Sequence, residues 1–262
     1  MLRCEGLTVA FDAQPILRGV SLHVPAKGLV GVLGPNGSGK TTLLRVLSGA
    51  LQPSSGTITF DDQPLRGFAT STLARRLAVV PQETHLAFDY SVLEIVLMGR
   101  YPHLGPFEFE GPADIASAHA ALTATGTDHL ADRTFGTLSG GEKQRVIIAS
   151  ALAQLGEGTS DQHHGAGRVL LLDEPTASLD LRYQIEVASL LRRLHDRQDI
   201  TIVLTTHDVH FAARVCSQLV LLGNGLVLAQ GTPKEVLTTS RIATLYNINP
   251  THAAEFAIGD TP

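Results

Sequence analysis

The chain has 262 residues, 44% of them hydrophobic, with a formal net charge of −5 and a sequence pI near 6.1. That balance gives no basic footprint for nucleic acid, and no apolar run approaches the roughly 18 residues needed to cross a bilayer. Cys4 and Cys216 lie far apart without metal-ligand spacing, so both read as small buried hydrophobes of a reducing compartment. Met1 to Phe11 lacks a signal-peptide core, so a membrane role is expected to come through a partner.

In chain order, Leu7, Val9 and Phe11 alternate with polar residues, as do Val20, Leu22 and Val24, with turn chemistry at Asp12–Pro15 between them. This predicts antiparallel strands. Leu29–Leu33 is a continuous apolar run of the kind buried on both sheet faces, and it leads into a glycine-rich loop and a helix from about Lys40 to Gly49. Val169–Leu172 and Ile202–Leu204 are further runs of this type, so an α/β core with a mostly parallel sheet is expected. Residues at about 83–155 read as a helical subdomain inserted into the sheet domain. Leu219–Leu222 and Leu226–Ala229 flank Gly223-Asn224-Gly225, a hairpin signal. Residues 1–247 are expected to form one domain, and 248–262 a loosely held tail. Gly156–Gly167 (GEGTSDQHHGAG) reads as a polar surface loop. His163 and His164 within it lack a nearby third ligand and make a weak metal signal.

Gly34-Pro35-Asn36-Gly37-Ser38-Gly39-Lys40-Thr41 fits G-x-x-x-x-G-K-[ST] between a strand and a helix. Its glycines let backbone amides turn around an anion, and the helix N-terminus adds its positive dipole end. Lys40 would reach the β- and γ-phosphates, and the Thr41 hydroxyl would ligate Mg²⁺. Asp173 and Glu174 close a buried strand, where Asp173 can hold the metal and Glu174 can act as general base for an attacking water. Ser139-Gly140-Gly141-Glu142 opens a further helix and makes a second phosphate-sized anion site. One ATP does not need two such sites from one chain, so the second is expected to meet the ATP of a neighbouring subunit.

In this order the motifs resemble the ABC ATPase family. Leu138–Glu142 (LSGGE) resembles its signature, Leu170–Pro175 (LLLDEP) its Walker B strand, Gln82 its glutamine loop, Ser178-Leu179-Asp180 its D-loop and His207 its switch histidine. The resemblance implies the ABC ATPase fold, a P-loop core with an N-terminal antiparallel β subdomain and an inserted helical subdomain. It implies ATP hydrolysis with Mg²⁺ in a head-to-tail homodimer on transmembrane permease subunits, at the cytoplasmic face of the membrane. A substrate-binding protein would act only through the permease. Phe11 would stack on adenine, and residues Gly34 to Thr42, including Thr42, would contact the nucleotide. Ser139, Gly140, Gly141 and Asp180 would reach it from the other chain. Glu174, His207 and Gln82 would be catalytic, and Thr41, Gln82 and Asp173 would hold the metal.

Pro81–Phe88 and Met98–His103 look like ATPases of importers for iron–siderophore complexes, haem and cobalamin. Family members of DNA repair or chromosome structure carry long coiled coils or zinc modules between the P-loop and the signature. That interval is here only about 100 residues, without sustained heptads or cysteine pairs. Exporters share every catalytic motif but are often fused to membrane helices. The apolar stretch Phe88–Leu104, after Gln82, is expected to offer a groove to a permease helix, with Leu86 and Tyr101 at exposed positions.

Overall fold

The computed structural model describes residues 1–12, 14–84, 86–156, 167–177, 179–198 and 200–259. Its strands are β1 (Leu2–Phe11), β2 (Gln14–Val24), β3 (Leu29–Leu33), β4 (Ser55–Phe60), β5 (Gln63–Pro64), β6 (Leu77–Val80), β7 (Arg168–Leu172), β8 (Ile200–Thr206), β9 (Gln218–Gly223) and β10 (Leu226–Gly231). The helices are α1 (Lys40–Leu47), α2 (Thr70–Ala74), α3 (Val92–Met98), α4 (Pro112–Thr125), α5 (Gly140–Leu155), α6 (Leu181–Gln198), α7 (Val209–Val215), α8 (Pro233–Val236), α9 (Thr239–Tyr246) and α10 (Pro250–Ala253).

The alternating N-terminal residues form an antiparallel sheet of order β2-β1-β4-β5. Phe11 pairs with Gln14 and Ala10 with Pro15, so pairing resumes sooner than the turn chemistry of Asp12–Pro15 suggests, and Pro15 lies within the strand. The second sheet runs β10-β9-β3-β8-β7-β6, with the five strands from β9 to β6 mutually parallel and β10 antiparallel to β9. All of β3 and all of β8 are buried, as their continuous apolar runs require. Successive side chains alternate between faces. Val30, Val32, Val169, Leu171, Val203 and Val220 meet α1 and the antiparallel sheet. Leu33, Leu170, Leu172, Ile202, Leu204 and Leu221 share the opposite core with α5, α6, α7 and the helical layer.

In the helical layer α3 is opened by a capping box, in which the Ser91 hydroxyl accepts from the Glu94 amide and the Glu94 carboxylate accepts from the Ser91 amide. Val92, Ile95 and Val96 fill the core, with Leu93 and Leu97 packed at its edge. The exposed large apolar residues of this region, among those described, are Phe88, Tyr101, Phe107, Phe109 and Ile115. Leu86, expected at an exposed position, is instead partly buried against the core.

The expected hairpin joins β9 to β10 through Asn224 (φ 50°) and Gly225 (φ 75°). Two successive positive φ values make the turn that matches strand twist. Within 248–262, expected as a loosely held tail, the described residues include α10, with Ala253 fully buried and Ile258 packed on the core. The amides of Ile258 and Gly259 both donate to Leu237 O. The docking of this segment rests on Ala253, on Ala257 and Ile258 packed at the core edge, and on backbone bonds, with no continuous apolar run to announce it. Both cysteines are buried, and burial pushes their thiols up, Cys4 to about 11 and Cys216 to about 12. His163 and His164 lie outside the described residues. Among the described residues no cluster of three or more His, Cys, Asp or Glu could hold a metal ion.

Candidate functional site

Because the strands are parallel, β3, β6, β7 and β8 all end at one edge, the place where open α/β sheets bind ligands. β8 lies between β3 and β7 in the sheet. Its exit residues therefore stand between the glycine-rich loop and the acidic pair.

The loop after β3 depends on glycine for two separate reasons. Gly37 (φ 77°) and Gly39 (φ 101°) adopt left-handed backbone that a side chain would strain. At Gly34 the limit is space, since a Cβ would lie 2.1 Å from Leu222 O. The β9–β10 turn also braces the loop: the Gly225 amide donates to Ser38 O at 3.2 Å, and Gly225 O accepts from the Arg18 amide at 2.9 Å. Lys40 is buried, donating to Gly34 O at 2.9 Å and Pro35 O at 3.0 Å, and pairing with Glu174 Oε1 at 3.1 Å. These three partners match the three donors of an ammonium.

Glu174 also has φ 43°, uncommon for a non-glycine residue and costly unless its surroundings impose it. Its amide donates to Thr205 Oγ1 at 2.9 Å, while that hydroxyl donates to Asp173 Oδ1 at 2.6 Å. One buried threonine thus fixes both acidic residues. Glu174 Oε2 lies 3.0 Å from His207 Nδ1, which donates in the tautomer that suits a carboxylate. The Glu174 carboxylate therefore bridges Lys40 and His207. Replacing Thr205 with valine keeps the shape but strands a carboxylate oxygen and an amide. Chemical unfolding should show a loss of about 1–3 kcal/mol, with Thr205→Ser recovering most of it. A valine variant as stable as the parent would show that the hydroxyl does not fix the pair.

A cleft of about 710 Å³ opens above these groups. Asn36, Gly37, Gly39, Lys40, Thr41, Thr42, Gln82, Glu174 and His207 line it, as do Ile16, Thr176, Ala177, Gln184, Thr206 and Asp208, which were not expected there. Thr206 and Asp208 flank His207 in sequence and were within reach of the motif. Ile16 and Gln184 arrive only through tertiary packing. Gly34, Pro35, Ser38 and Asp173 are not among the lining residues, and neither is Phe11, which is half exposed at the end of β1. The cleft floor suits a polyphosphate. The first-turn amides of α1 have no intrahelical acceptor, Lys40 supplies positive charge, and Ser38 Oγ is buried with no protein partner.

Ser139, Gly140, Gly141 and Asp180 are not among the residues lining this cleft. Ser139 caps α5, its Oγ donating to Glu142 Oε2 at 2.8 Å and accepting from the Glu142 amide. The Ser139 amide and hydroxyl hold the Glu142 carboxyl below its usual range. Gly141 packs on Tyr183, where a Cβ would sit 2.2 Å from the ring, and a Cβ at Gly140 would lie 3.4 Å from Leu179 Cδ2. Asp180 Oδ1 accepts from the Tyr183 amide at 3.1 Å, so the segment carrying Asp180 supports the signature glycines. Ser178 lies outside the described residues.

The profile of the ABC transporter family matches residues 17–177, more than half of the chain. The chain belongs to the ABC transporter family. It is 38% identical over its whole length to the cobalamin import ATP-binding protein BtuD of Halobacterium salinarum, and spans 61% of that protein. It is 41% identical to the hemin import ATP-binding protein HmuV of Bordetella avium, over 94% of this chain and 92% of the other. Among solved structures, a chain of a metal-chelate type ABC transporter in an inward-facing conformation superposes with a TM-score of 0.79 at 33% identity. That alignment covers 93% of this chain and 88% of the other. The fold is that of the ABC ATPase cassettes, with an α/β core, an antiparallel sheet and a helical layer.

Proposed function

We propose that this chain is the ATP-hydrolysing subunit of an ABC importer, working as a head-to-tail homodimer on permease subunits at the cytoplasmic face of the membrane. Its cargo would be a metal chelate, an iron–siderophore complex or haem, or else cobalamin. One observation carries the reading: Lys40, Glu174 and His207 are joined in one cleft, while the anion-ready start of α5 lies outside that cleft in the same chain. Two half-sites that do not meet within a chain are completed by a second copy.

The α1 amides and Lys40 would hold the ATP phosphates, and Phe11, exposed at the strand end, would stack on adenine. Mg²⁺ bound by Thr41, Gln82 and Asp173 would supply charge neutralisation at the phosphate oxygens. Lys40 would exchange its contact with Glu174 for phosphate oxygens, leaving Glu174 Oε1 to accept a hydrogen bond from the attacking water. His207, bonded to the other carboxylate oxygen, would orient Glu174 and reach the γ-phosphate. Gln82 would stand at the metal or water and pass the change to the helical layer. Ser139, Gly140, Gly141 and Asp180 would close the site from the other chain.

No described helix is long and apolar enough to cross a membrane; in this reading the permease subunits supply the membrane-spanning path. The relatives named for hemin and cobalamin import favour inward transport of large chelates. The test is to co-purify the chain with its permease, reconstitute both in vesicles, and offer haem, a ferric siderophore and cobalamin with the ATPase side supplied with MgATP. One of the three is expected to move toward the ATPase side and to stimulate hydrolysis. Movement in the opposite direction would assign the chain to an exporter.

A further inference from the structure

Two contacts tie the C-terminal segment to the loop bearing His207 and to the start of α7 that follows it. Tyr246, the last residue of α9, donates from Oη to His207 O at 2.8 Å. The Phe256 ring packs at a 38° tilt on His210 in the first turn of α7, with centroids 5.4 Å apart. Between them the chain leaves α9 through Asn247 in left-handed backbone (φ 52°), and Ala253 anchors it in the core. Tyr246 packs at the edge of the same core. Burial pushes its phenol well above the ordinary range, so it remains a hydrogen-bond donor at any physiological pH.

His207 O belongs to the peptide unit joining His207 to Asp208. The N–H of that same unit donates to Thr206 Oγ1 at 3.1 Å. With its carbonyl held by Tyr246 and its amide by Thr206, the peptide plane is fixed on both sides. On one side β8 sets the approach to His207. On the other, Asp208 Oδ1 accepts from the Phe211 amide and locks the start of α7. The backbone torsions of His207 are therefore determined. That matters because the His207 side chain is 52% exposed and has little packing of its own to aim Nδ1 at Glu174.

We propose that Tyr246 is a positioning residue for ATP hydrolysis, holding the His207 carbonyl so that the imidazole meets the Glu174 carboxylate. The C-terminal segment is then part of the switch apparatus, and any partner that lifts α9 slows hydrolysis without touching nucleotide. The inference rests on the roles given above to Glu174 and His207.

The test uses the full-length chain, with Tyr246→Phe, His207→Ala and the double variant. Tyr246→Phe keeps the ring and its packing. Loss of one hydrogen bond should lower kcat about three- to ten-fold with little change in the KM for ATP or in the melting midpoint. In the His207→Ala background, read by single-turnover phosphate release, Tyr246→Phe should cause no further loss, because a residue acting through His207 has nothing left to position. An equal loss in both backgrounds, a loss confined to KM, or wild-type kcat in Tyr246→Phe overturns the proposal. If His207→Ala alone turns over like the parent, the role of His207 fails first and the inference falls with it. A slowed His207→Ala beside an unaffected Tyr246→Phe overturns the inference alone.

Discussion

Glu174→Gln is expected to bind ATP, to hydrolyse it about 10²–10⁴-fold more slowly than the parent, and to accumulate as an ATP-bound dimer. Glutamine preserves the shape, and the backbone turn at φ 43° is held through the Thr205 hydroxyl rather than through the side chain, so the fold should persist. What disappears is the charge. An amide oxygen is a weaker partner for Lys40 than the carboxylate oxygen 3.1 Å away, and a neutral amide cannot accept the proton of an attacking water. Binding depends on the α1 amides and Lys40, which the change leaves in place, so the step lost lies after binding. Phosphate release under saturating ATP, with size-exclusion chromatography in the same buffer, separates the two effects. Hydrolysis near the parent rate would show that Glu174 is not the group that activates water.

Legibility in the sequence followed the range of the physics involved. β3, the P-loop and the acidic pair are short, local and chemically distinctive, and each was readable from a handful of neighbouring residues. β4 carries little sequence signal because its first three residues are exposed and the pairing register shifts at Gly56. β6 is four residues long and takes its place only by pairing with β7. Several glycines were legible as motif members while their reasons were not. Gly34 is required by Leu222 O and Gly141 by the Tyr183 ring, contacts between segments far apart in sequence. Thr205 and Tyr246 carry no local signal, since one is a threonine in a buried strand and the other an aromatic at a helix end. Their importance comes from the single atoms they touch, Asp173 Oδ1 and His207 O.

Mixing two inactive variants should restore activity that neither has alone. Lys40→Ala removes the cation of the cleft, and Ser139→Arg places a long charged side chain at the start of α5, outside that cleft. Each homodimer is expected to lose most of its hydrolysis, because every composite site contains one damaged half. Random exchange makes about half of the dimers mixed, and each mixed dimer has one site with both halves damaged and one with both intact. Independent sites would therefore return about a quarter of the parent activity at equal input. The prediction separates two geometries that share every motif. If the P-loop were served by its own chain's signature, every dimer would carry a defect in each site and mixing would restore nothing. If the cleft acted without a signature, Ser139→Arg alone would hydrolyse ATP normally. Crosslinking of differently tagged chains verifies that mixed dimers form, so a mixture no faster than its parents would count against the composite site itself.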